Sequence, residues 1–148
     1  MDYEFITEET FLHLKECARQ DLPEEDDLKD LDSLAKWNDK LISVQYNWVE
    51  VWTKQHALIE FLQMKMDECY GILYEEYKYG KNTKYVWDKK NEIESQIKRD
   101  KRYTEKMEIF LEQNYYLTFL TEYLQLIKNT QFSIQRRIDI KKTMMGMY

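Results

Sequence analysis

The sequence predicts an all-α fold: two long amphipathic helices plus short N-terminal and connecting helices, assembling through helix packing into an oligomer. Three observations predict it. From Trp37 onward, apolar residues recur at Leu41, Val44, Trp48, Val51, Leu58 and Leu62 in steps of four and three, interrupted only at Gln55. That is one helix face in near-heptad register. A second row, Ile42, Val49, Trp52, Ile59 and Met66, runs beside it, and two adjacent rows call for more than one neighbouring helix. Finally, three Gly and one Pro in 148 residues leave few turn signals, while charged residues make up 34%. This suits long helices and argues against sandwiches, barrels and βαβ units.

In chain order, Thr7 is placed to cap a first helix, with Glu8 and Glu9 in its first turn and Phe11, Leu14 and Ala18 as its apolar stripe. Pro23 and the run Glu24-Glu25-Asp26-Asp27 separate it from the first long helix. That helix begins either as early as Glu24, because Leu28, Leu31 and Leu34 already fall at spacing three, or at a cap on Asp32 or Ser33. It ends near Tyr77, with Gly80 as a left-handed cap. At ~1.5 Å per residue, ~45 residues make a rod of roughly 65 Å, more than one such domain encloses, so partner copies are expected to cover part of it. Gly71 costs ~1 kcal/mol relative to Ala inside that helix, and either admits a close neighbour or is simply tolerated.

Residues 79–100 read as a join, with a loop opened by Gly80, Asn82 and Thr83 and a short helix carrying Ile93 and Ile97. Asp100 is placed to cap the second long helix, about 101–143, whose stripe runs from Tyr103 through Leu120 and Ile127 to Ile138. Tyr116, Phe119 and Tyr123 broaden the stripe. Lys101 and Arg102 in its first turn oppose the helix dipole, which a bound anion would explain and which accident would also produce.

By length the chain is one domain, residues 1–148, with an acidic region at 1–32 and the remainder at 33–148. Cys17 and Cys69 do not define a disulfide, and a reducing compartment is the default. There is no ~20-residue apolar run and no signal-peptide pattern, so a soluble, intracellular protein without membrane contact is expected. The charge is lopsided. Residues 1–77 hold 7 Lys/Arg against 19 Asp/Glu, and residues 78–148 hold 15 against 9. Such asymmetry marks either an anion-binding half kept in solution by an acidic half, or helices that carry solvated charge.

No GxxxxGK[ST] loop and no GxGxxG after a strand is present, so no phosphate cradle for a nucleotide is visible. His13 and Cys17 share a helical face, but two His and two Cys do not make a recognisable zinc cluster. Pairs such as Glu75-Glu76 are adjacent, do not share a helix face, and read as solvated. The expectation is a protein that is not an enzyme and uses no metal or cofactor.

The strongest binding signal lies in 78–106, where cations interleave with rings. Aromatic faces stack on unpaired bases while Lys and Arg neutralise phosphates. The candidate phosphate ligands are Lys78, Lys81, Lys84, Lys89, Lys90, Lys98, Arg99, Lys101 and Arg102; the candidate stacking residues are Tyr79, Tyr85 and Trp87. The bland alternative has the rings filling a local core and the lysines solvated.

The order of motifs resembles the UvsY family of bacteriophage recombination mediators. Tyr46-Asn47-Trp48 opens, and Tyr77-Lys78-Tyr79-Gly80 closes, a segment comparable to that family's first long helix. Arg99-Asp100 stands where the family has Ser-Asp before its last helix. At the end, Asn129, Phe132, Ile134, Ile138-Asp139 and Gly146 fall in the family's frame. The likeness covers about 45–148. Thr130, Ile140 and Thr143 depart from the family pattern, and the helix before Gly80 carries tyrosines and glutamates where some members are basic. The resemblance implies a ring-like homo-oligomer, a heptamer in the family, working in the cytoplasm of an infected bacterial host. It implies binding to single-stranded DNA and to a RecA-like phage recombinase, and displacement of the phage single-strand binding protein. Two other readings stand beside it. One is a coiled-coil scaffold with no DNA role; the other is an adaptor whose acidic 21–32 segment mimics DNA or docks a basic partner.

Overall fold

The computed structural model describes residues 3–80 and 89–146. It is all-α: α1 (Glu8–Gln20), a 3-10 turn (Glu25–Leu28), α2 (Leu31–Tyr79), α3 (Lys90–Arg99) and α4 (Lys101–Met144). The described residues include no strand. The chain forms two compact units, both threaded by α2 and α4. One contains α1 and comprises Phe5–Lys54 and Tyr116–Tyr148; the other contains α3 and comprises Met1–Glu4 and Gln55–Tyr115.

The helix ends follow from local chemistry. Thr7 caps α1 as expected, its Oγ1 accepting from the Thr10 N–H at 3.1 Å. The acidic run after Pro23 does not begin α2; it closes a 3-10 turn in which the Glu24 N–H donates to Asp27 Oδ2 at 2.9 Å. Asp30, rather than Asp32 or Ser33, caps α2: its Oδ1 accepts the Ser33 N–H at 2.7 Å, and its backbone oxygen accepts from Leu34. At the other end Gly80 adopts φ 73°, the left-handed cap its position predicts. The helix was thus legible from both periodicity and punctuation, with only the capping residue misplaced.

In the α1 unit the first apolar row of α2 does what its spacing implies. Leu34 and Leu41 are fully buried against Leu120, Ile127 and Ile134 of α4, with Ala18 of α1 in the same core. Trp48 and Tyr123 meet edge to face, ring centroids 4.6 Å apart, and Tyr123 Oη donates to the Ala18 carbonyl at 2.7 Å. Burial pushes the Tyr123 hydroxyl well above the usual tyrosine range. Phe11 completes the aromatic set against Tyr116 and Phe119, at 4.6 and 5.1 Å.

The α3 unit has a separate core of Cys69 and Leu73 from α2 with Ile93 and Ile97 from α3, edged by Tyr70, Tyr74, Tyr77 and Tyr103. A ten-residue helix is marginal alone, and the two fully buried isoleucines are what hold α3 in place. Gln55, the one break in the first row, is not a gap. Its Nε2 donates to the Gln113 backbone oxygen at 2.8 Å and to Gln113 Oε1 at 3.0 Å, both residues being buried. A paired amide at a core position fixes helix register, because any slip leaves it unsatisfied.

The second row is split. Met66 is buried and Trp52 is held by an Nε1 donation to Thr121 Oγ1 at 2.9 Å, whereas Ile42 and Val49 stay exposed. Gly71 is also on the outside, with no described residue within 4 Å of where a Cβ would sit, so none of them needs the space its missing side chain leaves. Gly71→Ala is therefore expected to raise stability by about 0.5–1 kcal/mol, read from urea unfolding; a decrease would show that this face is covered.

Candidate nucleic-acid interface

The expected site falls on the α3 unit, where α2 ends, α3 ends and α4 begins. One residue, Asp100, joins the last two helices. It ends α3, its N–H donating to the Ile97 carbonyl, and it begins α4, its Oδ1 accepting the Arg102 N–H at 2.9 Å. α2 is tied to the same point because Tyr77 Oη donates to Asp100 Oδ2 at 2.8 Å. The carboxyl thus collects hydrogen bonds from Arg102 and Tyr77, which hold it down at about 2 despite partial burial. Burial and the bond to Asp100 push the Tyr77 hydroxyl up.

Arg102 is the surprise at this corner. Its guanidinium donates to both Asp100 oxygens, at 3.1 and 2.9 Å, and lies 2.7 Å from Glu76 Oε2. Its charge is engaged by two carboxylates while its side chain stays 49% exposed, so it holds the corner together whether or not it also meets a phosphate. The same geometry supplies a reason for a cation in the first turn of α4 that invokes neither an anion ligand nor accident. The expectation of a solvated Glu76 is corrected. Glu75 is exposed, but the Glu76 side chain is 12% exposed and lies against Arg102.

The remaining cations are distributed as follows. Lys98 and Arg99 are exposed in the last turn of α3, where positive charge suits the helix dipole, and neither has an ion-pair partner among the described residues. Lys101 is exposed and reaches Glu105 at 3.6 Å, a solvated pair of little strength. Lys78 sits over Tyr79 at 5.6 Å and over Tyr74 at 6.0 Å, and the Tyr79 ring is itself exposed. Lys89 and Lys90 are exposed at the opposite end of α3, Lys90 within 4.0 Å of Glu94. Lys81, Lys84, Tyr85 and Trp87 lie outside the described residues.

The junction of α3 and α4 therefore carries Lys98, Arg99 and Lys101 exposed within four residues of chain, Lys78 and Tyr79 are exposed at the end of α2, and Lys89 and Lys90 lie at the far end of α3. Its chemistry is that of an exposed cationic surface. His13 and Cys17, in the α1 unit, approach at 3.6 Å between Nε2 and Sγ, and both cysteines are free thiols. Among the described residues no group of three His, Cys, Asp or Glu side chains is placed to hold a metal, and no helix is long and apolar enough to cross a membrane. Comparison of the chain with protein-family models, curated proteins and solved structures finds no match in any of the three.

Proposed function

We propose that this chain is a non-enzymatic recombination mediator that binds single-stranded DNA. In this reading it loads or stabilises a RecA-like phage recombinase on the strand against the phage single-strand binding protein, in the host cytoplasm, as a ring-like homo-oligomer. The observation that supports the reading is the junction of α3 and α4: Lys98, Arg99 and Lys101 stand exposed within four residues of chain, on the backbone that Arg102, engaged by Asp100 and Glu76, braces. Clustered cations suit the phosphates of an unpaired strand, and the exposed Tyr79 ring at the end of α2 offers a stacking face. The motif order shared with the UvsY family supplies the recombination context.

A net charge of −6 does not oppose this. Closing several copies into a ring repeats a small cationic corner, and multivalent phosphate binding raises affinity without a basic monomer. The exposed Ile42, Tyr46 and Val49 on α2 favour assembly of some kind. They suit a helical scaffold that does not touch DNA equally well, so that reading stands second.

Replacing Lys98, Arg99 and Lys101 together by Ala, with Arg102 left in place, is expected to lower affinity for an oligothymidylate at ~100 mM salt by roughly tenfold or more. The slope of log K against log salt should fall by about 2, since each neutralised phosphate of a single strand adds ~0.7 to it. Fluorescence anisotropy over a salt series reads both. A wild-type protein that leaves the oligonucleotide free at ~50 mM salt would favour the scaffold.

A further inference from the structure

The C-terminal half of α4, in the α1 unit, carries a surface that the corner does not use. Between residues 128 and 142 stand Lys128, Arg136, Arg137, Lys141 and Lys142 against a single acid, Asp139. Within this stretch Phe132 is 73% exposed and has no ring partner among the described residues. Lys128 and Arg136 lie four residues before and after it, so the three side chains form one ladder on the helix surface at ~6 Å per rung. Both cations are exposed and neither has an ion-pair partner among the described residues. Asn129, Ser133, Arg136, Arg137 and Ile140 share a shallow groove with Phe132, which places amide, hydroxyl and one aliphatic group beside the ring. Arg137 is different. It donates to Glu25 at 3.3 and 3.4 Å and to the Leu28 carbonyl at 3.4 Å, so its charge is already engaged.

We infer that Lys128, Phe132 and Arg136 form a second single-strand site, the ring stacking on a base and the two cations taking the flanking phosphates. The ligand class rests on the strand-binding reading above, but the site shares no residue with the corner. A solvent-facing ring between two unpaired cations at helix-neighbour spacing is the arrangement that an unpaired strand recognises, because every base has a π-face and every linkage a charge. An anionic membrane fits less well. The broad apolar face of α4, with Ile127, Ile134 and Ile138, is already buried, and beside Phe132 its groove offers one exposed aliphatic side chain, Ile140, a narrower apolar surface than an interfacial helix inserts.

The test measures the full-length protein with an oligothymidylate, with vesicles of anionic lipid, and by mass in solution. Phe132→Ala is expected to weaken oligonucleotide binding by about 5- to 100-fold, and Phe132→Trp to restore it. K128A with R136A should flatten the salt slope by about 1.4, at ~0.7 per phosphate, whereas R137A should leave it unchanged. Three outcomes overturn this proposal alone. In one, Phe132→Ala binds as wild type while the Lys98/Arg99/Lys101 variant is weakened, so this site fails and the corner stands. In another, Phe132→Ala lowers the mass in solution and affinity falls only in step, which assigns the ring to an interface between copies. In the third, vesicles bind the wild type in a Phe132-dependent manner and oligonucleotide does not. A wild type that binds neither probe removes the strand-binding reading itself, and this inference with it.

Discussion

Replacing Trp48 by Ala is expected to destabilise the protein by about 3–5 kcal/mol, lowering its melting temperature by roughly 10 °C. Trp48 is 4% exposed and packs its ring on Tyr123 at 4.6 Å. Its Nε1 donates to Asp21 Oδ2 at 2.8 Å, and the Asp21 N–H in turn closes the last turn of α1 on the Cys17 carbonyl. One side chain therefore fills the core between α2 and α4 and fastens the end of α1. Truncation to Ala leaves a ring-sized void, takes the edge-to-face partner from Tyr123 and releases a helix end. Trp48→Phe keeps most of the volume and drops the hydrogen bond, so it should cost only about 1–2 kcal/mol. Circular dichroism through a thermal ramp separates the two. Equal destabilisation by Ala and Phe would show that the hydrogen bond, not the packing, dominates.

Arg102→Ala is expected to cost about 2 kcal/mol. Removing one partner from a buried ion cluster costs about 3–5 kcal/mol, and the 49% exposure of the Arg102 side chain screens part of that. Glu76 and Asp100 would be left facing each other, with side chains 12% and 10% exposed. The repulsion makes a sharp check possible: adding Glu76→Gln to Arg102→Ala should recover part of the stability, a coupling absent if the residues act independently. The same cluster sets a pH dependence. The Asp100 carboxyl lies at about 2 against 3.8 for a free one, so its contribution is present above about pH 4 and disappears as pH falls towards 2. Its worth at neutral pH is roughly 1–2 kcal/mol after allowance for solvent. Asp100→Asn should be less stable than wild type by that amount at neutral pH, and the gap should close at about pH 2. A gap that persists there would assign the loss to contacts that Asn does not reproduce rather than to charge, and no gap at neutral pH would assign Asp100 a purely capping role, which Asn also fills.

Both experiments bear on the proposed interface. Arg102 touches Asp100, Asp100 ends α3, and the exposed Lys98 and Arg99 belong to that last turn. An Arg102→Ala protein that unfolds early and also binds DNA weakly would say little about phosphate binding. The Lys98/Arg99/Lys101 replacement, which leaves the clamp intact, reports on charge alone.

Periodicity and punctuation were enough for the helices, because both act over a few residues: Leu41, Val44 and Trp48 recur at the spacing that one helix face demands, Thr7 and Asp100 offer side-chain oxygens to free N–H groups, and Gly80 accepts a positive φ. The charges and apolar residues that distinguish a site from a solvated face were not decided at that range. That Arg102 engages Glu76 shows only when the end of α2 arrives, and Gln55 reads as a flaw until Gln113 arrives opposite. Ile42 and Trp52 look alike on a helical wheel, yet only Trp52 finds a partner, in Thr121. Which residues complete each core is likewise settled by packing, Ala18 of α1 in one unit and Ile93 and Ile97 of α3 in the other. Local propensity is written within a turn or two of chain, whereas neutralising a charge or covering a ring depends on which distant residue the packing delivers.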